Sequence, residues 1–273
     1  MSLLSILFGM IVGFSLGLTG GGGAIFAVPL LVYGLGVEPR QAVGISLAAV
    51  GTMSAIGLMG RWRMGQVEPR TSLIFAVAGM IAAPLGSWLS HQIPPLILLL
   101  LFAILMLVVA VRMWKTASTA EGAMVSACHD DDHLPTCRRD AAGKLRITSR
   151  CAALLVAAGA VTGVLSGLFG VGGGFVIVPA LVLFSGMAMH RAVGTSLLVI
   201  ALISLVGTVS HMLAGGMIPI GTALLFVLGG IGGMGLGAFT SRRLSSQSLQ
   251  QSFAVAIVAV AIFVIVQTLR SSA

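Results

Sequence analysis

Long stretches of this chain carry no Asp, Glu, Lys or Arg: 1–37, 41–60, 71–111, 152–190, 192–241 and 244–269. A helix needs about 20 apolar residues to cross a hydrocarbon core, so several of these windows hold one spanning helix and some hold two. Charged residues make up 8% of the chain and hydrophobic ones 58%, against about 25% charged in an ordinary soluble domain. The alternating pattern of a membrane β-barrel is absent. The chain reads as an all-α polytopic membrane protein. Its first segment, MSLLSILFGMIVG, lacks a basic n-region and is followed by further apolar segments, so it reads as part of the fold. The net charge of +8 then reports loop orientation, with no nucleic-acid partner implied.

The chain is also a duplication. Residues 13–79 align with 163–229 without a gap, with 22 identities over 67 positions. Matched pairs include Gly17/Gly167, Gly20/Gly170, Gly22/Gly172, Gly23/Gly173, Pro29/Pro179, Ser46/Ser196 and Gly65/Gly215. One inserted residue then brings LGSWLS (85–90) onto LGAFTS (236–241). This divides the chain into a membrane repeat at 1–115, a linker loop at 116–150 and a second membrane repeat at 151–273. The first repeat has apolar segments at about 2–18, 24–35, 41–60, 70–90 and 94–114; the second at about 152–168, 175–185, 191–213, 218–240 and 247–269. The stretch 24–35 is too short to span, reaching only about 18 Å as a helix. It reads as the return arm of a re-entrant hairpin. A hairpin followed by three spans makes the two repeats inverted. On that topology 13 of the 15 Lys and Arg share one face, with only Arg40 and Arg270 opposite. The positive-inside rule assigns the crowded face to the cytoplasm.

The turns of both hairpins are glycine runs, LTGGGGAIFAVP (18–29) and LFGVGGGFVIVP (168–179). Irregular backbone at membrane depth is tolerated only where protein buries it or it lines a wet cavity. Transporters with inverted repeats use broken helices in this way, with the substrate near the midplane. Helix N-termini after such runs present free N–H groups and a positive dipole end, suited to a small anion. The candidate binding residues are Thr19, Gly20, Gly21, Gly22, Gly23 and Ser46 in the first half. In the second half they are Gly170, Gly172, Gly173, Gly174, Thr195 and Ser196, with Ser46 and Ser196 expected to head the next helices in matched positions. By contrast, Gly9, Gly13 and Gly17, and likewise Gly229, Gly233 and Gly237, recur every fourth residue and read as packing ladders.

The paired glycine–VP segments, followed by AVGIS (42–46) and AVGTS (192–196), resemble the TauE/SafE sulfite exporter family of membrane permeases. The likeness covers both halves outside the central loop. It implies a multi-pass permease of the bacterial inner membrane that moves small inorganic or organosulfonate anions such as sulfite or thiosulfate, with no cofactor and no enzymatic activity.

Other features are weaker pointers. Arg61 and His211 occupy equivalent repeat positions near span ends and are candidate gating groups. No Asp or Glu lies inside any span, so the carboxylate relay of a proton-driven pump is missing. Cys128, His129, His133 and Cys137 in the central loop are metal ligands by type, but in no standard spacing. Trp62, Trp88 and Trp114 sit at span ends, where interfacial aromatics belong. The glycine runs fit no phosphate-loop or dinucleotide fingerprint. Two alternative readings stand beside anion transport. One is a metal or cation permease and the other a membrane enzyme acting on lipid phosphates.

Overall fold

A computed structural model describes residues 2–94, 149–169, 189–217 and 219–241, with shorter runs and single positions within 97–111, 174–187 and 255–262. The regular structure described is helical. It comprises α1 (Ser2–Thr19), α2 (Gly23–Pro29), a π-helical turn (Leu30–Gly34), α3 (Pro39–Arg63), α4 (Pro69–Gln92), α5 (Ser149–Phe169), α6 (Met189–Leu213) and α7 (Ile220–Ser241). Further helical positions at 97–108 fall in the third expected span of the first repeat. Among the described residues, α3 to α7 are each long and apolar enough to cross a membrane.

Local sequence sets the boundaries. Pro39 and Pro69 occupy the first turns of α3 and α4, where a missing N–H costs nothing. Gly65 (φ 66) and Gly215 (φ 82) end α3 and α6 in the left-handed region. Each end closes the same way: Gly65 N–H donates to Trp62 O and Gln66 N–H to Arg61 O, and likewise Gly215 to Met212 and Gly216 to His211. This is a paired Schellman motif. Pro29 lies inside the return arm. Its missing N–H interrupts the α ladder, and the chain widens into the π turn immediately after it.

The two glycine ladders pack against each other. A Cβ on Gly9, Gly13 or Gly17 would strike the backbone of Phe226, Gly230 or Met234. One on Gly229, Gly233 or Gly237 would strike Ile6, Met10 or Phe14. Numbers rise together on both sides, so α1 and α7 run parallel with their backbones in contact. Lipid tails are as apolar as Leu, so close van der Waals approach is what joins such helices. The same contact recurs between α5 and α4: Gly159 meets Phe75, Gly163 meets Gly79 and Gly167 meets Ala83. Each repeat thus lays its first helix against a helix of the other. In the central pair, Gly51 of α3 meets Ser204 of α6 and Gly207 meets Leu47, an antiparallel register between two helices that the duplication makes equivalent.

Two details differ from the sequence expectation. The structural offset between repeats is already 151 at Phe75/Phe226, both fully buried. The extra residue therefore lies earlier than the LGSWLS segment, between the Schellman turn and Phe75. Ser46 and Ser196 do not head their helices, because α3 and α6 begin at Pro39 and Met189 and both serines lie about two turns inside. Outward side chains such as Leu3, Ile81, Leu85, Leu213 and Met217 are exposed apolar groups, as a lipid-facing surface requires.

Candidate functional site

The first glycine run breaks the helix as expected. Gly20 turns the chain at φ 74, a conformation that costs glycine nothing. Its N–H donates to Leu16 O at 2.7 Å. Thr19, buried, donates its hydroxyl to Ser15 O at 2.7 Å and accepts from Gly22 N–H at 2.8 Å. Thr19 is thus the cap that holds the turn. From the other half, Ser196 Oγ donates to Gly20 O at 2.8 Å or to Val193 O at 2.9 Å. Val193 and Ser196 lie one to two turns inside α6, and Gly174 of the second run meets Ile200 near the middle of that helix.

The turn is closely packed. A Cβ on Gly20 would overlap Val193, and one on Gly23 would overlap Leu16 and Val12. Gly21 lies back to back with Gly174, the described residue of the second run; a Cβ there would come within 2.5 Å of the Gly174 carbonyl carbon. The two runs touch through bare backbone, and the contact itself leaves no room for a solute. Gly170, Gly172 and Gly173 lie outside the described residues, as do Cys128, His129, His133, Cys137 and Trp114.

Thr195 accepts from Glu68 N–H at 3.2 Å and donates to Met187 Sδ at 3.6 Å, so it tethers the start of α4. Ser46 is fully buried with no hydrogen-bond partner among the described residues.

Room for a ligand lies beside the turn. A cavity of about 350 Å³ runs inward from Met64 and Gln66 to Gly57, Leu197 and Met234, and is also lined by Gly17, Gly60, Arg61, His190, Ala238 and Ser241. Arg61 is only 6% exposed. Its Nη2 donates to Gly17 O at 3.1 Å and its Nη1 to Gln66 Oε1 at 3.3 Å. Gly17 stands in the last turn of α1 and Arg61 in the last turn of α3. The guanidinium therefore meets the negative ends of two helix dipoles, one of which exists only because the glycines stop α1. That is a physical reason why a charge is tolerated in so buried a position. Ser241 Oγ, also on the cavity wall, has no partner among the described residues.

Burial of Arg61 and His211 (3% exposed) was not legible as such; both read from sequence as end-of-span polar residues. Gln66 and Ser241 were missed altogether. The repeat offered one usable signal for Ser241, its match with Ser90 in LGSWLS. Trp62 and Trp88 are exposed near the ends of α3 and α4, as interfacial residues should be. Glu68 meets Arg191 at 3.8 Å at the same end as Arg61.

Comparison with known proteins agrees with this picture. Residues 5–264 match the family model described as sulfite exporter TauE/SafE. A probable membrane transporter protein of Xylella fastidiosa is 37% identical over 260 residues, covering 94% of this chain and 92% of that protein. The probable membrane transporter protein YunE of Bacillus subtilis is 28% identical over 256 residues, covering 89% and 90%. The probable membrane transporter protein MJ0441 of Methanocaldococcus jannaschii is 30% identical over 217 residues, covering 77% and 72%. No solved structure matches the chain. The chain belongs to the sulfite exporter TauE/SafE family of multi-pass membrane transporters.

Proposed function

We propose that this transporter moves small sulfur-containing oxyanions, such as sulfite, thiosulfate or organosulfonates, along a path between two inverted repeats. The single observation that carries the reading is the buried Arg61 guanidinium on the wall of a cavity that borders the end of α1. A cavity of about 350 Å³ falls at the small end of the usual range of about 300–1,000 Å³ for ligand pockets. Arg61, Gln66, His190 and Ser241 line it, a set dominated by hydrogen-bond donors. A fixed cation with a planar fork of donors suits an oxyanion. The antiparallel register of α3 and α6, and the exchanged contacts of α1 with α7 and α5 with α4, support inversion.

Deeper passage involves the glycine amides, Thr19, Ser46, Thr195 and Ser196. In the conformation described, Gly21 and Gly174 close that route back to back. An anion reaches those amides when the two runs separate, which is the conformational step alternating access requires.

The test is a thermal-shift panel on purified protein, since a ligand of the folded state raises its apparent stability. Sulfite or an organosulfonate should raise the melting temperature and chloride should not. Gly22→Leu and Gly172→Leu should weaken that effect. Stabilisation by divalent metals alone would overturn the reading in favour of a cation permease.

A further inference from the structure

The end of the bundle opposite Arg61 holds a second polar cluster, and the duplication relates it to the first residue by residue. Arg61 is equivalent to His211 and His190 to Arg40 at an offset of 150; Ser241 is equivalent to Ser90 at 151. The cavity described above takes Arg61, His190 and Ser241. The opposite end takes His211 and Arg40. Each end therefore draws one Arg and one His, one from each half of the chain. Arg40 and Arg61 lie at the two ends of α3, about 32 Å apart at 1.5 Å per residue. That is about the thickness of a hydrocarbon core, ~30 Å.

The second end brings two histidines and a guanidinium to one corner. The His91 and His211 rings lie with centroids 5.6 Å apart, tilted by 42°. Arg40 Nη2 donates to His91 O at 3.2 Å, which ties the guanidinium to the same corner. His91 Nδ1 lies 2.8 Å from Ser87 O. A carbonyl only accepts, so Nδ1 carries the proton there; Nε2 is an acceptor in the neutral ring and donates to an anion once the ring is protonated. His211 is 3% exposed, and its Nε2 has no hydrogen-bond partner among the described residues. Ser87 Oγ, one turn before His91 on α4, is likewise buried without one. Among the described residues, His211 Nε2 is the one buried side-chain nitrogen without a partner, the others being serine hydroxyls; buried polar atoms are paired in about 90% or more of cases. A Cβ on Gly216 would overlap the His211 ring, so the bare turn after α6 is what seats the imidazole. The Arg40 guanidinium at this corner disfavours a metal cation and favours an anion.

We propose that Arg40, His91 and His211 form a second anion-binding station at the other end of the transport path, with Arg40 and His211 in the places that His190 and Arg61 hold in the first cavity. This rests on reading the Arg61 cavity as an anion receptor. An anion held at one station is released through the other, and the glycine contact lies between them.

Sulfite flux measured into right-side-out and inside-out membrane vesicles tests this, because each preparation exposes a different station. His211→Ala and His91→Gln should each raise the half-saturating sulfite concentration by about tenfold on the His211 side, the scale of one lost charge-assisted contact. On the Arg61 side the change should stay under about twofold, and Arg61→Ala should show the reverse pattern. His211→Arg, which copies the equivalent residue, should keep or improve saturation on its side. That variant and His91→Gln also answer the question if His211→Ala fails to fold. Unchanged saturation on the His211 side, or equal changes on both sides, would overturn the second station and leave the Arg61 reading standing. Wild-type vesicles that carry no sulfite from either side would overturn both.

Discussion

Replacing Arg61 by Ala sets two effects of opposite sign against each other. The variant loses donors to Gly17 O at 3.1 Å and Gln66 Oε1 at 3.3 Å. Hydrogen bonds to a charged group contribute about 1.5–3 kcal/mol each, and the longer one belongs at the low end. It also relieves the cost of placing a guanidinium at membrane depth, about 2.5–3.5 kcal/mol at a helix centre and less near an end. The cavity lets water reach the Gly17 carbonyl, so that oxygen is not orphaned. The net loss is about 1–2 kcal/mol, a fall of roughly 5 °C at about 2–4 °C per kcal/mol. Ligand response separates the variants far more. At a sulfite concentration of 100 Kd the wild type gains about 2.7 kcal/mol, or roughly 5–10 °C. Losing about 2.8 kcal/mol of anion contact raises Kd about 100-fold. The same sulfite concentration then stabilises Arg61→Ala by only about 0.4 kcal/mol. Arg61→Lys keeps the charge, loses the fork and should fall between. The assay is a melting curve of detergent-solubilised protein with and without sulfite. A full sulfite shift in Arg61→Ala would refute the assignment of Arg61 as the receptor.

Gly21→Ala should lower thermal stability by about 1–3 kcal/mol, the usual cost of overpacking. Its Cβ would lie 2.5 Å from the Gly174 carbonyl carbon, whereas carbon atoms rest at about 3.5–4.0 Å. Gly235→Ala on α7, with nothing within 4 Å of its Cβ, is the control and should be neutral or slightly stabilising; equal melting temperatures for both variants would mean the runs are not in contact. Sulfite flux in proteoliposomes should respond to an imposed membrane potential without any proton gradient, by about 2.3 kcal/mol per charge per 100 mV. Flux that required a proton gradient and ran against the anion's own gradient would exclude this drive.

Much of the fold was legible because membrane sequence punctuates itself. The expected helices 41–60, 191–213 and 218–240 correspond to Pro39–Arg63, Met189–Leu213 and Ile220–Ser241. Proline and positive-φ glycine mark the ends of α3, the start of α4 and the end of α6. The every-fourth-residue glycines declared a packing face. They could not declare a partner, since periodicity describes one helix and the contact of α1 with α7 needs both. The same limit hid the cavity. Arg61 is polar and near a helix end, which in sequence means an interfacial residue. Its burial arises because α1 stops at the glycines and leaves the Gly17 carbonyl beside it. Gln66 and Ser241 are single polar residues at segment ends, indistinguishable from loop polarity until α3 and α7 are seen to converge. The offset of the repeats was misplaced because apolar stretches align about equally well in several registers; the buried Phe75/Phe226 match resolves it.

On the inverted-repeat reading the two ends of the bundle share one backbone plan and differ in their side chains. At one end the residue in the Schellman turn is Arg61, buried; at the other it is His211, and the guanidinium there is the exposed Arg40. A unit charge 4 Å from an anion is worth about 1 kcal/mol in water and about 4 kcal/mol at an effective dielectric constant of 20. On the anion reading, the Arg61 station therefore holds its ligand several kcal/mol more tightly than Arg40 can. The positive-inside rule expects the Arg61 end in the cytoplasm, where a negative membrane potential disfavours anion accumulation. Tight capture on that side, weak retention on the other and a potential that drives anions outward all act in one direction. A carrier so arranged has no use for a carboxylate inside its spans, and the spans of this chain contain none.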